Sequence, residues 1–202
     1  MFSIRTRVRA VLAAAALLVG TTMVSAPAQA EDQLPVDWKV DVTTTMKSLG
    51  QTVVIPTGTF KGGIGLESMA LTGDLNLPQA KKRFSLGSLP LADITFAMNQ
   101  AAPVSGTVDL ANMHVDAVAS FNVRIVSVRP VWMPWLNLVG NTCRTERPVT
   151  SKMSGPISLD GANTFSGTYA LGKFTGCGWG VTSIINWIVP GDGNTMKATF
   201  YP

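Results

Sequence analysis

The chain has 202 residues, of which 46% are apolar, 14% charged and 7% aromatic, with a formal net charge of +4. That apolar share supplies one packed core and argues against a disordered chain or a coiled coil. Nineteen Gly and twelve Pro interrupt the chain too often for a helical bundle and carry no three-residue collagen period, so short strands and turns are expected.

In chain order, Arg5, Arg7 and Arg9 precede an apolar run from Ala10 to Gly20 and the small-residue site Ala28-Gln29-Ala30. This is the pattern of a secretory signal peptide over residues 1–30, cleaved after Ala30. The apolar run, about eleven residues, falls short of the roughly 20 needed to span a bilayer, so a retained anchor is the less favoured alternative. The expected mature chain, 31–202, is then a single β-rich domain, secreted or held at the cell envelope, with no transmembrane segment left. All the leader's charges are basic; without them 13 Lys+Arg face 12 Asp+Glu. A nearly neutral domain offers no stripe to track a phosphate backbone, which disfavours nucleic acid as a partner.

The mature chain opens with strict alternation from Val36 to Val42, the mark of a half-buried strand. A β-branched run from Thr52 follows and is expected to stop at Pro56, resuming over residues 57–60 at an edge before Gly62-Gly63 turns the chain. One parity of apolar residues (Met69, Leu71, Leu75, Leu77) predicts a strand over 65–77, with Gly73 as a bulge. Lys81-Lys82-Arg83 reads as a solvated turn, with contact to an anionic envelope polymer or lipid as the alternative. Ile94, Phe96 and Met98 predict a strand ending near Asn99, with Val104, Val108 and Leu110 as its hairpin partner. From Val115 to Val128 a period-2 pattern excludes a helix, and at about 3.3 Å per residue so long a strand must bend or span a tall barrel wall. Prolines keep the apolar segment Pro130–Val139 from forming a regular helix. Met153, Ile157 and Leu159 precede an Asp160-Gly161 turn, and Phe165, Tyr169 and Leu171 follow it, which predicts a hairpin. Val181, Ile184, Ile185 and Ile188 fall at helical spacing, so one short helix is expected, started at Thr182 or Ser183 and ended by Pro190-Gly191. Residues 194–201 close the chain as a strand. The expected fold is all-β: an antiparallel β-sandwich or barrel-like sheet with one short C-terminal helix.

Cys143 and Cys177 are the only cysteines. An even count in an exported chain predicts one disulfide, and the absence of Cys-x-x-Cys spacing speaks against redox catalysis. His114, the single histidine, shares a strand face with Asp116, a pairing that could orient a base or begin a metal site. No nucleophile or ligand motif accompanies it, so a surface histidine is the simpler reading. Gly62-Gly63-Ile64-Gly65 lacks the residues of a phosphate cradle, and Gly191-Asp192-Gly193-Asn194 lacks the remaining oxygen ligands of a calcium loop. No metal, cofactor or enzymatic reaction is implied. What remains is apolar recognition: Trp132, Met133, Trp135, Phe174, Trp179 and Trp187 concentrate beside the cysteines, and a pocket for a hydrophobic molecule needs such a lining. These rings could equally fill the core or close one end of a sheet.

The segment Phe174-Thr175-Gly176-Cys177-Gly178-Trp179, continuing through Asn186-Trp187-Ile188-Val189-Pro190-Gly191-Asp192-Gly193-Asn194-Thr195, resembles the C-terminal signature of exported actinobacterial proteins of unknown function. The resemblance covers about a tenth of the chain and implies a secreted, β-rich, envelope-associated protein; it transfers no catalytic residue. The expected function is therefore envelope-associated binding of a hydrophobic or amphipathic molecule such as a lipid. The alternative is a structural or adhesive sandwich with a solid core and a protein or glycan partner.

Overall fold

Alternating side chains let a sheet bury one face, and here that sheet closes on itself. The structure, a computed structural model, describes residues 31–86, 88–158 and 161–202. The expected leader and residues Leu159 and Asp160 of the expected turn lie outside the described residues. The strands are β1 (Gln33–Met46), β2 (Gln51–Gly65), β3 (Ala70–Asn76), β4 (Ala80–Leu86), β5 (Leu89–Asp109), β6 (His114–Pro130), β7 (Arg144–Thr145), β8 (Val149–Pro156), β9 (Asn163–Leu171), β10 (Phe174–Thr175) and β11 (Gly191–Tyr201). A 3₁₀ turn (Lys47–Leu49) follows β1, and the helix α1 (Val181–Ile188) precedes β11.

Eight of these strands pair antiparallel in the order β6-β8-β9-β11-β1-β2-β3-β5, and β5 pairs back onto β6 to close the barrel. Neighbours in the wall follow one another along the chain, which makes it an up-and-down barrel, and closure removes the open edges of a sheet. β4 continues the line of β3 along the same edge of β5, while β7 and β10 extend the wall beyond β6. Of the two expected architectures the barrel is the one formed, together with the short helix and the disulfide.

Inside, Val40, Val42, Val53, Ile55, Val115 and Phe121 are buried. Phe60, Phe165, Phe200 and Trp38 pack ring against ring, with centroids 5.5–6.5 Å apart. Outside, β1 presents Asp37, Lys39 and Asp41, and β11 presents Thr195 and Lys197. A barrel that crosses a membrane has the reverse arrangement, with an apolar band facing out. Among the described residues, no helix is long and apolar enough to cross a membrane.

Several sequence expectations yield to the closed wall. Pro56 does not stop β2: pairing passes from Val42↔Ile55 to Val40↔Gly58, so Pro56 sits in a bulge where no ladder donor is required. Gly62-Gly63 is not a turn, and Gly73 is not a bulge. Gly62 and Gly73 face each other in register, and a Cβ on Gly73 would lie 2.5 Å from the Phe60 ring, so the glycine makes room for that ring. The expected hairpin within residues 94–110 does not form. β5 runs through all 21 residues, and bulges between Gln100 and Ser105 absorb Pro103 while both halves pair with the long β6. Lys81-Lys82-Arg83 is not a turn either, because it lies in β4 and pairs with β5. Among the described residues β4 has no partner on its other side, and charged side chains on such an edge discourage pairing with another chain. The N-cap of α1 is Gly180, not Thr182 or Ser183; the Thr182 hydroxyl donates to the Gly178 carbonyl at 3.0 Å instead.

Candidate functional site: the tryptophan-bearing end of the barrel

Strand direction sorts the connections into two ends. β1, β6 and β9 finish at one end, where β5 and β11 begin. This upper end therefore carries the 3₁₀ turn, the segment 131–143 and α1.

The segment 131–143 cannot be helical, because Pro130 and Pro134 break it. It folds as successive turns instead, with the Asn137 side-chain carbonyl accepting from Val128 N at 3.0 Å and Leu138 N donating to the Val128 carbonyl at 2.9 Å. The Cys143–Cys177 disulfide ties this segment to the stretch before α1, and Gly140 N donates to the Cys177 carbonyl at 3.0 Å beside it. On α1, Asn186 brackets Phe174. Its carbonyl oxygen accepts from Phe174 N at 2.6 Å, and its amide donates to the Phe174 carbonyl at 2.9 Å. The sequence expectation of a single disulfide is met.

The six side chains expected to line a pocket divide sharply. Phe174 is buried and Met133 half-buried. The four tryptophans stand in solvent, with relative exposures of 64% for Trp132, 76% for Trp135, 101% for Trp179 and 86% for Trp187. They neither fill the core nor line its cavities. Two apolar cavities remain inside the barrel, of about 50 Å³ and about 70 Å³. Both are well below the ~150 Å³ of an apolar cavity that admits benzene. Met98 borders both, and of the six residues only Phe174 borders one. The physical reason is that β-branched and aromatic residues of the wall already fill the centre, while the segment 131–143 is held against β6 through Val126 and Val128.

Polar groups in the interior are few. Tyr169 Oη and Thr44 Oγ1 lie 2.6 Å apart, the Thr44 hydroxyl also reaches the Thr195 carbonyl, and burial pushes the Tyr169 phenol up from its ordinary value. Ser151 Oγ is buried without a hydrogen-bond partner among the described residues. His114, half-buried, and Asp116, exposed, sit at the opposite, lower end of β6, with Nε2 and Oδ1 3.8 Å apart. Among the described residues, no three His, Cys, Asp or Glu side chains gather where they could hold a metal. In the segment resembling a calcium loop, Asn194 is buried and structural. Its amide donates to the carbonyls of Gly191 and Tyr169, and its carbonyl oxygen accepts from Lys47 N.

Sequence reasoning missed two features of this end. Leu89, Leu136, Leu138, Ile184 and Ile188 are also exposed. The signal was α1 itself, of whose eight residues five are apolar while only Ile185 is buried. The second is a surface groove lined by Lys81, Lys82, Arg83, Asp93, Thr95 and Arg129. Arg129 joins the cluster only because β6 lies beside β5. Arg83 holds Asp93 in a two-pronged pair at 2.7 and 2.8 Å, which keeps the Asp93 carboxyl below its ordinary value.

Compared with protein-family models, curated proteins and solved structures, the chain has no match.

Proposed function

We propose that this is an exported, envelope-associated, non-enzymatic protein that binds amphipathic molecules such as lipids through the upper end of its barrel. The observation that carries this reading is the exposure of four tryptophans on two segments pinned together by the disulfide. Neither 130–142 nor 177–191 contains a single charged residue. Indole is apolar in its body and polar at its N–H, so it favours the boundary between hydrocarbon and water. The cysteine pairing, the leader pattern and the resemblance to exported envelope proteins support the compartment. Lipid contact is expected at the outer rim, since neither internal cavity accommodates an acyl chain in this arrangement.

The test uses a short-chain phosphocholine detergent below its micelle concentration. Tryptophan emission should shift to the blue, and bromination of the probe's acyl chain should quench it. Unchanged emission with both probes would remove the reading and favour a structural or adhesive role with a solid core.

A further inference from the structure

We infer that the upper end docks the protein on an anionic bilayer surface, with the tryptophans entering the interface and the basic groove of β4 and β6 meeting the headgroups. The inference rests on the lipid-binding reading above and adds the partner and its charge.

The first support is the distribution of charge along the barrel axis. Connections at the upper end carry Lys47, Arg147 and Lys173 against Glu146, and the strand ends beside them add Arg144 and Asp192. The start of the described chain and the described lower turns (31–32, 66–69, 110–113, 157–158 and 161–162) carry Glu31, Asp32 and Glu67 and no Lys or Arg. Asp109 and Asp116 lie at the lower strand ends as well. The mature chain is nearly neutral in total, yet its ends differ in sign, and the basic end is the one that bears the tryptophans. An anionic surface would attract that end and repel the other, which orients the barrel before contact.

The second support is continuity between the groove and the tryptophan segment. Four cations, Lys81, Lys82, Arg83 and Arg129, line the groove, and Asp93 neutralises one of them. Arg129 also donates to the Pro134 carbonyl at 3.1 Å, between Trp132 and Trp135. Arg129 therefore ties the cationic groove to the segment that carries Trp132 and Trp135. Rings that partition into the interface and cations that sit at headgroup level are the two components of peripheral membrane binding. Lys81 and Lys82 thus serve twice, protecting an open strand edge and supplying, with Arg129, the charge that Asp93 leaves unpaired.

The test is co-sedimentation of the exported protein with vesicles of phosphatidylglycerol mixed with phosphatidylcholine, against vesicles of phosphatidylcholine alone. Binding should require the anionic lipid and fall by about tenfold or more between roughly 0.05 M and 0.5 M salt as the charges are screened. The paired substitution Lys81→Glu and Lys82→Glu, on one edge strand, should weaken binding by about tenfold or more. Trp179→Ala with Trp187→Ala removes exposed rings only, so it should leave the melting temperature in place while weakening vesicle binding and reducing the blue shift to the share that Trp132 and Trp135 contribute. Equal binding to both vesicle types, or none to either, would overturn the inference. If none binds while the monomeric detergent still shifts the emission, docking fails and the lipid-binding reading stands. A concentration-dependent dimer that shields the tryptophans without lipid would assign the patch to a second copy of the chain and overturn docking too.

Discussion

Tyr169 is a side chain whose position turns burial into a pH dependence. It lies inside the barrel against Phe121, with a ring centroid distance of 6.0 Å, and its hydroxyl meets Thr44. Burial raises its pKa, and the hydrogen bond to Thr44 only partly offsets this. The neutral phenol is thus favoured in the folded state. Its stabilisation is intact below the unfolded-chain value of about 10 and is lost as pH rises through the higher folded value. The urea midpoint should therefore decline between pH 8 and pH 11, and Tyr169→Phe should decline less over the same range. An identical decline in the variant would show that other groups carry the effect. The same residue illustrates what alternation reveals: its parity with Phe165 and Leu171 predicts an inward face, and all three are buried. The tryptophans had no such parity. They lie on turns and a short helix, where hydrophobicity alone does not say which way a ring points.

Strands were legible where period 2 was unbroken and misread where Gly or Pro interrupted it. β6 is the clearest case, since Val115, Ala119, Phe121 and Ile125 are all buried as their spacing requires. In β2 and β5 the prolines fall in bulges, and only the partner strand decides whether a proline ends a strand or bends it. α1 was readable from its spacing, but not what holds it. Its attachment is the pair of hydrogen bonds from Asn186 to the backbone of Phe174. Asn186→Ala leaves both backbone groups of a buried residue without partners. The expected cost is about 1–3 kcal/mol for each buried group left unpaired. Urea unfolding should record that loss, and amide exchange at Phe174 should quicken. Unaltered exchange there would mean that β10 is held by other contacts.

Closure of the wall and the disulfide act on the molecule as a whole. Cys143 and Cys177 are 34 residues apart in sequence, and closing a loop of this length stabilises a fold by about 3–4 kcal/mol in the chain-entropy account. Urea unfolding with and without reductant should differ by that amount. The far-UV dichroism should stay β-type after reduction, because the eight-strand ladder does not depend on the sulfur link. Loss of the β signal on reduction, without denaturant, would show that the upper end holds the barrel together. The candidate site is also a property of the whole. Lys81–Arg83 and Arg129 are more than forty positions apart, and Trp135 and Trp179 are separated by a similar span. Antiparallel pairing brings their elements to one end.

The all-β class, the inward faces of uninterrupted strands and the cysteine pairing were all written in the order of residues, because each depends on local periodicity or on a count of two. Barrel rather than sandwich, the passage of strands through Pro56 and Pro103, the outward stance of the tryptophans and the sorting of charge between the ends were decided only in three dimensions. Each depends on which strands become neighbours, and hydrogen-bond closure over long sequence separations carries no local signal.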